Sequence, residues 1–152
     1  MEKRFGQYST TVPMALTWVE QITLYQDEEQ TMPVDLTGLA ARAQLRLTKC
    51  TYVDPIAGAP NPVLELTTPN YYGPTPPEVP VPAWPVLAVL SIPTPANGTI
   101  LLDALKSQYV RYLSPTNAKV KYYWQIVLVN QETLDYAPVV EGAVVLLPAT
   151  TL

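Results

Sequence analysis

Apolar and polar positions alternate along this chain in short runs, and that period of two predicts strands rather than helices. The pattern is clearest over residues 120–129. There Val120, Tyr122, Trp124, Ile126 and Leu128 share one parity, and Lys121, Tyr123, Gln125, Val127 and Val129 the other. The run predicts a central strand with Trp124 in the core. A second alternation, over 39–47, sets Ala41, Ala43, Leu45 and Leu47 against Arg42, Gln44 and Arg46. One face is small and apolar and the other cationic, the mark of a half-buried antiparallel strand. Arg42 and Arg46 are then candidates for outward ion pairs across a sheet face or a subunit boundary. Residues 15–25 make a third run, with Leu16, Trp18, Ile22 and Leu24 on one side. Glu20 interrupts that apolar side and predicts a bulge or a position near an edge.

Shorter strands are predicted over 63–67, 86–92 and 99–102. Residues 136–147 read as the hairpin partner of 120–129, with Gly142 permitting a bulge or the close approach of another backbone. Turn chemistry separates these runs. In Pro-Val-Asp-Leu-Thr-Gly, residues 33–38, Asp35 and Thr37 can bond nearby backbone groups and Gly38 can take a positive φ. Asn97-Gly98 is a turn signal, and 130–135 is a polar hairpin loop. Leu105, Tyr109 and Leu113 stand at helical spacing and predict one short helix within 103–114, ended by Pro115. About seven or eight short strands with turns at near-regular intervals describe an all-β chain folded as an antiparallel sandwich or barrel.

Two segments fall outside the pattern. Residues 1–14 have no period, and Phe5 and Tyr8 are isolated aromatics among polar neighbours. The segment is either a frayed terminus or an extended arm that anchors these two rings on a neighbouring subunit. Residues 69–96 are a proline-rich insertion within the single β-domain of 15–152. Most of the 17 prolines of the chain lie in or just before it, and Glu78 is its one charge. Stiff polyproline geometry, low charge and the rings of Tyr71, Tyr72 and Trp84 favour an ordered excursion laid on protein, its own or a neighbour's. Those three rings are the candidate partner contacts of the insertion.

Composition narrows the function. The net charge is −4 and the basic residues are dispersed, which excludes nucleic acid as the main ligand. Charged residues make up only 14% of the chain, so either partner proteins cover much of the surface or it is rich in Thr and Gln. No apolar run reaches the length of a spanning helix, and no apolar segment follows the basic residues near the start. Neither a membrane nor a signal peptide is therefore expected, and synthesis in a cytoplasm is.

With no His and one Cys, the chain lacks the commonest general base and the commonest metal ligands. It carries no phosphate-binding loop or nucleophile elbow. Asp27, Glu28 and Glu29 are adjacent, without the spacing or glycine of a calcium loop, and read as a solvated hairpin tip. Glu65, Asp103, Glu132 and Glu141 would permit a glycosidase-type pair, but nothing points to one. The expectation is a protein without enzymatic activity, cofactor, metal or small-molecule substrate.

Taken in order, several of these stretches form a resemblance. They are Leu-Thr-Trp at 16–18, Pro-Val-Asp-Leu-Thr-Gly at 33–38, the alternating strand with Arg42 and Arg46, and Val-Leu-Glu-Leu-Thr-Thr at 63–68. Asn-Gly-Thr-Ile at 97–100, Tyr-Tyr-Trp-Gln-Ile-Val-Leu at 122–128 and Val-Val-Glu-Gly-Ala-Val-Val-Leu-Leu-Pro at 139–148 complete the series. The chain resembles small tailed-bacteriophage virion proteins with immunoglobulin-like β-sandwich domains, such as the N-terminal domain of baseplate upper proteins. The resemblance spans residues 15–68 and 97–150. Two departures stand out: Trp124-Gln125 replaces the usual Tyr-Asp, and relatives lack the insertion at 69–96.

The resemblance supplies no catalytic residues. It implies a structural protein of the virion, present in several copies and packed against other phage proteins of the capsid, neck, tail or baseplate. The alternative is a host-receptor or glycan-binding module displayed on the virion, acting through Tyr71, Tyr72 and Trp84.

Overall fold

The run around Trp124 lies inside a sheet, between two long neighbours. The computed structural model describes residues 6–13, 17–49, 62–69, 84–114, 116, 118–133 and 135–148. The strands are β1 (Gly6–Gln7), β2 (Thr10–Pro13), β3 (Trp18–Thr23), β4 (Leu39–Arg46) and β5 (Leu64–Thr67), then β6 (Val86–Leu87) and β7 (Leu90–Ser91). A single 3₁₀ turn at Pro95–Asn97 leads into β8 (Thr99–Ala104), followed by helix α1 (Lys106–Leu113), β9 (Val120–Asn130) and β10 (Tyr136–Leu147). The larger sheet runs β1-β10-β9-β4-β5-β6, with β2 continuing beside β10; the smaller runs β3-β8-β7. The architecture is all-β and two-layered.

The inner faces supply one core. Ala41, Ala43 and Leu45 of β4, Leu64 and Leu66 of β5, and Tyr122, Trp124 and Ile126 of β9 meet Trp18 and Ile22 of β3 and Ile100 and Leu102 of β8. Trp18 and Trp124 stack across the layers with ring centroids 6.0 Å apart. Tyr109 of α1 sets its ring edge-on to Trp18 at 5.6 Å, so the helix closes one side of the core. The corner at 33–38 folds as its residues require. Asp35 accepts hydrogen bonds from the Thr37 amide and hydroxyl at 3.0 and 2.6 Å, and Gly38 takes φ +77°. Leu36 between them is buried.

Three expectations change and one is narrowed. Glu20 sits at no bulge, because β3 pairs with β8 in unbroken register from Trp18↔Ala104 to Thr23↔Thr99. It does stand on the outer strand of the smaller sheet. The predicted strand 86–92 divides between layers: Glu65↔Val86 and Leu66↔Leu87 join β6 to the larger sheet, whereas Leu90↔Leu102 joins β7 to the smaller. A continuously apolar run has no parity to commit it to one sheet, so it can serve both.

Residues 6–13 belong to this chain's own sheet, parallel to β10, instead of extending to a neighbour. Finally, β4 is not half-exposed. Arg42 and Arg46 do not face outward: Arg42 is 0% and Arg46 6% exposed. Alternation reports which residues share a face, not whether that face meets water, and here both faces of the strand are covered.

Candidate functional site

On the face of the larger sheet turned away from the core, strand register aligns one polar residue from each of five strands. Gln7 pairs with Glu141, Glu141 with Gln125, Gln125 with Gln44, and Gln44 with Glu65. The row begins exposed at Gln7 and ends buried at Glu65. Its two ends have different chemistry.

At the buried end, Glu65 forms an ion pair with Arg42, both side chains at 0% exposure. Gln44 Nε2 donates to Glu65 Oε1 at 3.0 Å, and Trp84 Nε1 donates to the same oxygen at 2.7 Å. Arg46 Nη2 in turn donates to Gln44 Oε1 at 2.9 Å. An ionised carboxylate held away from water is tolerated only with a counter-charge and donors, and this cluster supplies both. Burial pushes the Glu65 carboxyl above its ordinary value, against the opposing pull of the Arg42 charge and of the bonds from Gln44 and Trp84. With no exposure to solvent, Glu65 ties β4, β5 and the residues before β6 together and is not presented to a ligand.

At the other end, the N-terminal segment keeps one offset along β10, from Gly6↔Val140 and Gln7↔Glu141 to Thr10↔Val144 and Leu147↔Pro13. Between β1 and β2 the backbone of Tyr8 passes directly over Gly142. A Cβ on Gly142 would lie 1.8 Å from the Tyr8 carbonyl oxygen. This is the close approach that a glycine in β10 permits; the irregularity of β10 itself falls between Pro138 and Val140. The same carbonyl accepts a 2.9 Å bond from Trp124 Nε1, and Ser9 Oγ accepts one of 3.1 Å from the Ala143 amide.

Glu20 fastens the segment to the other sheet. It accepts bonds from the Tyr8 hydroxyl at 2.6 Å, from the Thr10 hydroxyl, and from Trp18 Nε1 at 3.3 Å. The bond to Glu20, then burial, then the charge of Glu20 push the Tyr8 hydroxyl up to about 12.

Comparison with protein-family models, with characterised proteins and with solved structures returns no match to this chain. Its functional reading rests on its own residues.

Beside Gly142 the outer face of the sheet is hollow. A cleft of about 440 Å³ is lined by the arm residues Gln7 and Ser9, by Tyr123 and Gln125 of β9, by Glu141 and Ala143 of β10, and by Lys49 beyond the end of β4. On this face the short Ala143 is flanked by the longer Tyr123, Gln125 and Glu141, and a concavity results. Gln7 Nε2 donates to Glu141 Oε1 at 2.8 Å across its rim. The Lys121 ammonium lies 5.1 Å from the Tyr123 ring centroid and steadies that ring.

The residues singled out from sequence are thus dispersed. Tyr8 is an anchor, but onto Trp124 and Glu20 of its own chain, with its ring 6.2 Å from that of Trp124. Trp84, expected to meet a partner, is 8% exposed and faces Glu65. Arg42 and Arg46 are interior. Phe5, Tyr71 and Tyr72 lie outside the described residues, as do residues 70–83 of the insertion. The row residues Gln7, Gln44, Gln125 and Glu141 were missed, since their alignment depends on register between distant strands. Glu20 did carry a signal: an acid on an otherwise apolar strand face demands donors.

Proposed function

We propose that this chain is a non-enzymatic structural protein of a tailed-phage virion, with an immunoglobulin-like sandwich that packs against capsid, neck or tail and baseplate subunits in several copies. The observation that carries the reading is where the chain spends its charge. Arg42 and Glu65 hold strands together in the interior, Glu20 joins the two sheets through the N-terminal segment, and Asp27 and Asp35 brace turns. Groups that an enzyme would turn toward a substrate are used here to stiffen a block, which is what a rigid particle component requires.

Two further features support it. The Asp-Leu-Thr-Gly corner, the most distinctive part of the resemblance to virion proteins, is a hydrogen-bonded turn beside the core. Among the described residues β3 is also an outer strand, paired on one side only, and Val19 on it is exposed, a surface that a partner could cover.

The test is association with particles. Purified virions washed in high salt should retain the protein, and a particle reconstruction should show it touching several neighbours. Recovery of the protein only as a free species, absent from washed particles, would overturn the proposal.

A further inference from the structure

The cleft beside Gly142 has the attributes of a binding site, and the chemistry of its lining restricts the ligand. Its volume, about 440 Å³, falls within the range of small-molecule pockets. Among the described lining residues there is one carboxylate, Glu141, and one cation, Lys49. A single carboxylate is too few for a metal ion, and one cation balanced by one carboxylate gives no net attraction for phosphate. An extended peptide would need an open strand edge, whereas this cleft lies on a sheet face covered on one side by the arm. Trp124, Tyr123 and Ala143 give the cleft apolar surface, but a wholly apolar ligand would leave two amides, the hydroxyls of Ser9 and Tyr123, a carboxylate and an ammonium without partners.

What remains fits closely. The carboxamides of Gln7 and Gln125 can both donate and accept and the Glu141 carboxylate accepts, a set of groups suited to the hydroxyls of a sugar ring. Ser9 and Lys49 add single polar contacts. Tyr123, held by Lys121, offers the flat aromatic surface on which the C–H face of a pyranose can lie. The site is also pre-organised: Gln7 is fixed to Glu141 at 2.8 Å and Ser9 to the Ala143 amide at 3.1 Å, so little ordering remains for binding to impose.

We propose that this cleft binds a neutral pyranose unit of a glycan. The site is distinct from the tyrosines and Trp84 of the insertion and does not depend on a place in a virion. A ring of about a dozen heavy atoms in a half-open cleft implies a dissociation constant on the order of a millimolar, so useful binding to a cell surface would come from many copies acting together.

The experiment is an amide NMR titration of the full chain with three probes: methyl glucoside, N-acetylglucosamine and, as an anionic control, sialic acid. A neutral sugar should give saturable shifts confined to the amides around Gln7, Tyr123, Gln125 and Glu141. Tyr123→Ala, and separately the exposed change Gln7→Ala, should weaken that binding roughly tenfold while leaving distant amide positions unchanged. Three results would each overturn the proposal: no saturable shift from either neutral sugar about tenfold above the expected constant, stronger binding of sialic acid than of both, or binding that neither substitution alters.

Discussion

Gly142→Ala isolates the most unusual contact in the molecule. The added methyl would stand 1.8 Å from the Tyr8 carbonyl oxygen, and a carbon needs about 3.5 Å, so the arm must move by more than an ångström. The obstacle is backbone and cannot rotate away. Moving it breaks the 2.9 Å bond from Trp124 Nε1 to Tyr8 O and the 2.9 Å bond from Tyr8 N to Glu141 O. A backbone bond contributes about 1 kcal/mol, and a buried indole N–H left without an acceptor costs about 1–3 kcal/mol. The expected loss is therefore about 2–4 kcal/mol, or a fall in Tm on the order of 10 °C for a chain of this size.

Urea denaturation gives the free energy, and amide exchange at residues 8–12 reports whether the arm has lifted. A chain lacking residues 1–13 is the control, since the same substitution there meets no carbonyl and should cost less than about 0.5 kcal/mol. Two outcomes refute the reasoning: an unchanged midpoint with protected arm amides in the full chain, or an equal loss in the shortened one.

Other expectations follow from the buried cluster and the Glu20 clasp. Glu65→Leu removes the acceptor of Gln44 and Trp84 and leaves the buried Arg42 guanidinium without its partner, and should cost about 3–5 kcal/mol by denaturant titration, whereas the paired change Arg42→Met with Glu65→Leu should lie near the parent or above it. Because the Glu65 carboxyl is raised in the fold, its contribution to stability is complete below the ordinary value of 4.5 and declines as pH rises through the higher folded value. The stability difference between parent and Glu65→Leu should thus shrink as pH rises in that window, and a difference that grows there would contradict the assignment. For Tyr8, the difference in tyrosinate absorbance between the parent and Tyr8→Phe should titrate near 12, and Glu20→Gln should bring it back toward 10. Its stabilising contribution is present below pH 10 and lost as pH rises to about 12; a Tyr8 titration indifferent to Glu20 would remove the clasp from the account.

Much of the fold is local and could be read from the chain. The alternation over 120–129 becomes β9 with Trp124 in the core, and the helical spacing of Tyr109 and Leu113 becomes α1 with both residues buried. The corner at 33–38 is a matter of Asp35, Thr37 and Gly38, which act within a few bonds of one another. Gly142 announced a close approach, though not what would approach.

The interior polar chemistry was of another kind. Arg42 meets Glu65, Gln44 meets Gln125, and Tyr8 meets Glu20 because strands remote in the chain settle into one register, and no local pattern encodes that pairing. Periodicity divided β4 into two faces but carried no information on whether the polar face met solvent, so its arginines read as surface charge. By itself, then, the sequence determined where strands form and which residues share a face, since steric preference and period act over neighbouring positions. Tertiary structure alone decided which faces are covered, which strands adjoin, and therefore where the polar row is sealed and where it opens into a cleft.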